Sequence, residues 1–254
     1  MSTLAEKFRL DGRVAVITGA SSGLGVAFAL AFAEAGADVV VCARREAMLA
    51  DTAAKVEALG VRCLAVRADV AVPDDCTAVA TRAMEAFGRV DVLVNNAGIG
   101  TAAPATRERP EDFRRVLDIN VSGSFFMAQA CARVMQPGSS IINVGSILGS
   151  TTAGLPQAAY CTSKAAILGL TRDLASEWTG RKGIRVNALA PGFFPSEMTD
   201  EYPDGYLEQM LPRVPAGRVG DPAELAAAAV FLASDAASYV TGVLLPVDGG
   251  LLTG

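Results

Sequence analysis

Seven short apolar runs punctuate the chain: RVAVIT at 13–18, ADVVVCA at 37–43, VRCLAVRA at 61–68, VDVLVNN at 90–96, SSIINVGS at 139–146, IRVNALAP at 184–191 and GVLLPVD at 242–248. They are rich in Val and Ile and apolar at consecutive rather than alternating positions, which predicts strands covered on both faces. Helical patterns of ten or more residues lie between most of them. This alternation predicts an α/β fold, a doubly wound parallel sheet with right-handed crossovers and helices on each side. No Pro/Ser-rich linker, repeat or low-complexity tract divides residues 1–254, so one domain is predicted.

One region breaks the rhythm. Residues 192–220, GFFPSEMTDEYPDGYLEQMLPRVPAGRVG, hold four prolines and four aromatics, the composition of a lid or substrate loop or of a helical excursion sheltering the sheet edge.

The turn after the first run is built to hold a phosphate. Gly19, Gly23 and Gly25 sit between a buried strand and a long apolar helix, where unpaired N–H groups and the positive helix end converge on an anion. Gly19 suits the tight turn, Gly23 close approach to a pyrophosphate and Gly25 the packing of helix on strand. The same residues spell GASSG, which fits a nucleophile elbow with Ser21 as nucleophile. The chain has no histidine to activate Ser21, and histidine-ligated zinc falls with it.

Polar residues collect at predicted strand ends: Asp69, Asn95 and Asn96, and Ser146. In a doubly wound sheet ligands bind outside the carboxyl ends of the strands, so these groups face the crevice. Tyr160 and Lys164 lie four apart in a helical run, one turn from each other on one face. An ammonium there is expected to lower the phenol from its ordinary pKa of ~10 and let it exchange a proton with a substrate oxygen.

Composition narrows the partners. Hydrophobic residues make up 51% of the chain and charged ones 19%, which favours further burial between subunits. The longest apolar stretches, such as VAFALAFA, fall short of the ~18 residues of a membrane span. The first residues lack a signal-peptide pattern. Cys42, Cys63, Cys76, Cys131 and Cys161 are scattered and never spaced Cys-x-x-Cys, and read as small buried hydrophobes. A net charge of −5 opposes general attraction to nucleic acid. A cytoplasmic protein with small ligands is expected.

Taken together, TGASSGLG, Asp69, NNAG at 95–98, Asn120, Ser146, YCTSK and PG at 191–192 resemble the short-chain dehydrogenase/reductase family, and the likeness runs to VDGG at 247–250. The resemblance implies a seven-stranded Rossmann-type sheet ordered 3-2-1-4-5-6-7 and a homotetramer pairing the helices that hold Asn120 and Tyr160. It implies that Tyr160 is the general acid–base, that Lys164 lowers its pKa and binds the nicotinamide ribose, that Ser146 holds the substrate oxygen, and that Asn120 positions a water in the proton relay. The cofactor would lie on Gly19, Ser21, Ser22, Gly23, Leu24 and Gly25, with Asp69 and Val70 at the adenine ring. Asn95 would begin a segment at the adenosine ribose that continues through Asn96, Ala97 and Gly98, while Pro191, Gly192, Phe194 and Ser196 would complete the nicotinamide side. Hydride transfer would then interconvert an alcohol and a ketone with no metal required.

The end of the second strand bears on which nicotinamide cofactor is used. Ala43 stands where NAD-preferring relatives usually carry an acid, and Arg44 follows as a fork-shaped partner for a 2′-phosphate. NADP is favoured. NAD stays possible, because the glycine turn carries no added basic residue and Arg44 and Arg45 also read as solvated residues entering a helix. For the substrate, Ile147, Leu148, Leu155, Phe193, Phe194, Met198, Tyr202 and Tyr206 suggest an apolar pocket for an alcohol or ketone. A 3-oxoacyl thioester on carrier protein or CoA is the alternative, with only Arg133 in MAQACARVMQPGSS to meet an acidic carrier. A cofactor-sensing protein without turnover is a third reading.

Overall fold

A computed structural model describes residues 3–200 and 202–253, with the side chains of Met198 and Asp200 outside the described set. The seven apolar runs form strands β1 (Val14–Thr18), β2 (Asp38–Ala43), β3 (Cys63–Arg67), β4 (Val92–Asn95), β5 (Ser140–Val144), β6 (Arg185–Pro191) and β7 (Leu244–Val247). They make one sheet ordered β3-β2-β1-β4-β5-β6-β7 with every neighbouring pair parallel, as expected. Every residue of β1, β4, β5 and β6 is buried, which accounts for their mostly apolar character. The edge strands β3 and β7 are only partly covered, and β7 tolerates Pro246 because an edge needs fewer ladder donors.

The helices are α1 (Gly23–Glu34), α2 (Glu46–Glu57), α3 (Pro73–Phe87), α4 (Pro110–Leu117), α5 (Gly123–Ala132), α6 (Ala158–Lys182), α7 (Glu197–Asp200), α8 (Tyr206–Met210) and α9 (Pro222–Ala233). One apolar layer packs α3, α5 and α6 on the sheet around Leu93, Met127 and Ile141; the other packs α1, α2 and α9 around Ile17, Phe28 and Leu232. Local signals set the boundaries. Helix α9 starts at a capping box in which Asp221 and Glu224 satisfy each other's backbone N–H groups, and α6 ends at Gly183 in the left-handed region.

A wide turn of π-helix at Asp118–Ser122 joins α4 to α5 and carries Asn120. The described residues of 192–220 carry α7, α8 and a 3-10 turn at Leu211–Arg213 over a third apolar cluster, built on Ile147, Tyr160, Phe193 and Tyr206 at the carboxyl end of the sheet. Among the described residues no helix is long and apolar enough to cross a membrane.

Candidate active site

The carboxyl ends of β1, β2, β4, β5 and β6 open into one cleft of about 410 Å³, roofed by the segment around α7. Of the residues assigned by resemblance to catalysis or cofactor binding, all line this cleft except Gly25, Asn95 and Asn120.

The glycine turn shows why those residues are glycines. Gly19 has φ +67, and a Cβ on it would stand 2.8 Å from the Ala97 backbone. Gly25 lies too deep for a ligand; a Cβ there would meet the Gly19 carbonyl at 2.3 Å, so its absence lets α1 pack on the turn. Helix α1 has no side-chain cap: Ser22 is extended at φ −164, and its hydroxyl turns to Glu197 rather than to the first-turn N–H groups. Gly23 keeps its Cβ direction open to 3.5 Å from Ser196, and a Cβ on Gly98 would approach Lys164 Nζ at 3.6 Å. The turn, the Gly98 backbone and the lid thus leave an extended trough with unpaired donors at one end and an ammonium at the other. That geometry fits a dinucleotide.

The trough is braced from beneath. Thr18 Oγ accepts the N–H groups of Asn96 and Ala97, each at 2.9 Å, and Asn96 Nδ2 donates to the Thr18 carbonyl at 3.0 Å. Asn95 does not reach the ribose side; it is buried, with its amide donating to Ser124 O at 3.0 Å and Asn143 Oδ1 at 2.9 Å. It faces the sheet interior because successive strand residues alternate faces, and Asn96 takes the turn position.

Asn120 is also behind the wall. Its Nδ2 donates to Ile99 O and Ser163 Oγ, and its Oδ1 accepts Ile99 N–H, all at 2.9 Å. Both amide hydrogens are committed, leaving only oxygen lone pairs for the water that the resemblance assigns to it.

At the other end, Ser146 follows β5 and accepts Leu148 N–H at 3.1 Å as it starts a 3-10 turn. The Tyr160 phenol and the Ser146 hydroxyl line the same wall of the cleft, close enough for Ser146 to favour the phenolate. Lys164, one turn along α6, is 5% exposed; its Nζ donates to Val144 O at 2.8 Å and stands 5.5 Å from the Tyr160 ring centroid. The expected lowering of the Tyr160 pKa is not met. Burial raises it above the ordinary value of 10, opposed by the neighbouring Ser146 hydroxyl, while burial also pulls Lys164 down to about 8. Desolvation of two charge-bearing groups outweighs an ammonium whose hydrogen bond goes to a carbonyl rather than to the phenol.

Arg44 lies half-exposed at the cleft with Nη1 4.0 Å from Asp69 Oδ2. Arg45, adjacent in sequence, turns the other way and lies across Ser21 and Ser22 to pair with Glu197. Neither Arg45 nor Glu197 carried a site role in the sequence, since nothing local to either marks the other as its partner. Of the apolar residues expected at the substrate pocket, Ile147, Leu148, Phe193, Phe194 and Tyr202 line the cleft. Leu155 and Tyr206 pack behind it, Tyr206 with its hydroxyl on Ala153 O at 2.7 Å; the Met198 side chain lies outside the described residues.

A profile of the family described as enoyl-(acyl carrier protein) reductase matches residues 19–252, spanning the glycine turn, α5, α6 and the segment around α7. The chain is a short-chain dehydrogenase/reductase. It is 46% identical over 250 residues to the galactitol 2-dehydrogenase (L-tagatose-forming) of Cereibacter sphaeroides, covering 96% of each chain. It is 41% identical to the 3-oxoacyl-(acyl-carrier-protein) reductase of Thermotoga maritima, covering 96% of this chain and 99% of that one. Among solved structures, the gluconate 5-dehydrogenase of Burkholderia cenocepacia J2315 in complex with NADP and tartrate superposes with a TM-score of 0.93 at 36% identity, covering 99% of this chain and 100% of that one. The match to each of these proteins covers 96% or more of both chains.

Proposed function

We propose that this short-chain dehydrogenase/reductase interconverts a secondary alcohol and a ketone with NADP(H). The observation that carries the reading is the Tyr160 phenol beside Ser146, one helical turn from the buried Lys164 ammonium, in the same cleft that opens on the glycine turn. Gly19, Gly23 and Gly98 line the cleft with Lys164, so these residues would hold a dinucleotide, Lys164 donating to its nicotinamide ribose. When bound, the nicotinamide supplies hydride donation or acceptance. The chain's own residues handle the proton. Ser146 holds the substrate oxygen, and Tyr160, kept protonated by burial, delivers a proton to it as a ketone is reduced. The reverse direction requires phenolate, so alcohol oxidation gains from alkaline pH.

Arg44 beside Ala43 supports NADP, since a guanidinium fork suits a phosphate and the carboxyl end of β2 carries no acid to repel one. Ile147, Leu148 and Phe193 next to Tyr160 support a substrate with an apolar face. The carrier-protein reading is weaker, because Arg133 lies away from the cleft and donates to Gln129 at 3.1 Å on its own helix. We read the chain as one domain of a homotetramer: α6 exposes the small residues Ala165, Ala166 and Gly169 to a partner, and Tyr239 beside β7 is fully exposed. Five free thiols suit the reducing cytoplasm. Cofactor oxidation measured against ketones, keto sugars and 3-oxoacyl thioesters tests the reading. Turnover of a ketone with NADPH is the expected result, and cofactor binding without turnover of any carbonyl would overturn it.

A further inference from the structure

The two arginines after β2 diverge. Arg44 points toward Asp69 beyond β3, whereas Arg45, the extended N-cap of α2, reaches back over the glycine turn. Its Nε and Nη2 donate to Ser21 Oγ at 3.2 and 3.1 Å, and Nη2 also donates to Ser22 Oγ at 2.7 Å. The fork also meets both oxygens of Glu197, Nη1 donating to Oε1 at 3.0 Å and Nη2, sharing its two hydrogens among three acceptors, to Oε2 at 2.9 Å. Ser22 Oγ donates to the same Oε2 at 2.8 Å. A carboxylate from the lid therefore sits on two hydroxyl-bearing residues and a guanidinium fork at the rim of the cofactor trough. This is a set of donors that would equally take two oxygens of a phosphate.

Resting on the NADP reading above, we infer that Arg45 is a second specificity-determining cation for the cofactor's 2′-phosphate, and that Glu197 competes with that phosphate for it. Ser21, Ser22, Arg44 and Arg45 surround one end of the cleft, so a phosphate placed between β2 and the glycine turn meets cations on two sides. The same phosphate stands against Glu197, which Arg45 and Ser22 hold below the usual carboxylate range and hence charged. Both partners of the Arg45–Glu197 pair are about half exposed, at 48% and 56%, and exposed pairs of this kind are weak enough to exchange. NADPH draws Arg45 from Glu197. NADH, lacking the phosphate, leaves the pair intact. Because Glu197 belongs to α7, the cofactor's charge also decides whether the lid stays tied to the glycine turn.

Fluorescence titration of NADPH and NADH onto the wild type, Arg44→Ala, Arg45→Ala, Glu197→Gln and the double variant Arg45→Ala/Glu197→Gln tests this without turnover. Arg45→Ala should weaken NADPH about 10-fold and leave NADH within about twofold, while Glu197→Gln should tighten NADPH about threefold and leave NADH unchanged. Glu197→Gln should lose its effect once Arg45 is gone, and Arg45→Lys should keep part of the NADPH affinity. A pair that merely braces the lid would move both cofactors equally in either variant, and that result, or no change in either, overturns the inference. The cofactor reading fails separately: a wild type that binds NADH more tightly, with Arg44→Ala indifferent, removes it, while a selective NADPH response to Glu197→Gln would still uphold the role of Glu197.

Discussion

Replacing Lys164 with methionine should stabilise the protein while disabling it. The ammonium is 5% exposed, and burial pulls its pKa from 10.5 to about 8. At about 1.36 kcal/mol per pH unit, that difference makes the buried charge cost about 3 kcal/mol. The cost is present in full below pH 8, where folded and unfolded chains both carry the proton. It fades as pH rises from 8 toward 10.5, because the folded chain releases its proton first. Methionine has similar length and no charge to desolvate, but it strands the Val144 carbonyl that now accepts Nζ at 2.8 Å, a loss of about 1–2 kcal/mol. The net expectation is a gain of about 1–2 kcal/mol at pH 7, reversing near pH 10. Urea unfolding at fixed protein concentration, followed by the fluorescence of Trp178, the single tryptophan, measures both values. Cofactor affinity and turnover should collapse in the same variant, the stability–activity opposition expected of a buried functional charge. A variant no more stable than the wild type at pH 7, or a difference that does not change with pH, would refute the reasoning.

Tyr160→Phe keeps the ring's packing and removes the proton, so turnover should fall at least ~10²-fold while NADPH titration stays within about threefold; retained turnover would remove Tyr160 from the chemistry. In the wild type the rate of alcohol oxidation should climb with pH, since burial raises the phenol; a rate that falls as pH rises would count against it. Gly98→Ala places a methyl 3.6 Å from Lys164 Nζ and 3.3 Å from Asn120 Oδ1, so the urea midpoint should hardly move while cofactor binding weakens about 10-fold. Gly25→Ala forces a methyl to 2.3 Å from the Gly19 carbonyl and should cost about 1–3 kcal/mol of stability or more; equal stability in the two variants would contradict their assignments. Alkylation by iodoacetamide at pH 8 should be slow at all five cysteines, because burial raises each thiol, Cys76 to about 11 and Cys63 and Cys131 to about 12; rapid labelling at Cys131 would show that its layer opens.

What could be read in advance divides along the length scale of the forces involved. The sheet was legible because every residue of its inner strands is buried, and burial on both faces leaves runs such as VAVIT and SIINV mostly apolar, their few polar side chains hydrogen-bonded internally. Gly19 and Gly25 were legible because each answers a local steric demand, and Tyr160 with Lys164 because a helix turns four residues of spacing into one face. Asn95 and Asn96 show where this stops. They are adjacent and chemically identical, yet one ties Ser124 and Asn143 inside the sheet while the other props the glycine turn, and only the end of β4 between them decides which.

The sign of the Tyr160 shift and the partnership of Arg45 with Glu197 share a deeper reason for being invisible. Both depend on competition among groups that the chain brings together from far apart in sequence. A Tyr and a Lys four apart suggest mutual charge stabilisation, but α6 carries both into a layer beneath Phe193 and Tyr202, where desolvation dominates and Val144 O captures the ammonium. Likewise Arg44 and Arg45 look equivalent until the start of α2 aims one at β3 and the other at a carboxylate 152 residues away. Motif positions carried by one element are therefore readable as geometry. Their protonation and their electrostatic partners belong to the assembled cleft, and it is there that a family framework leaves this chain's own cofactor preference to be set.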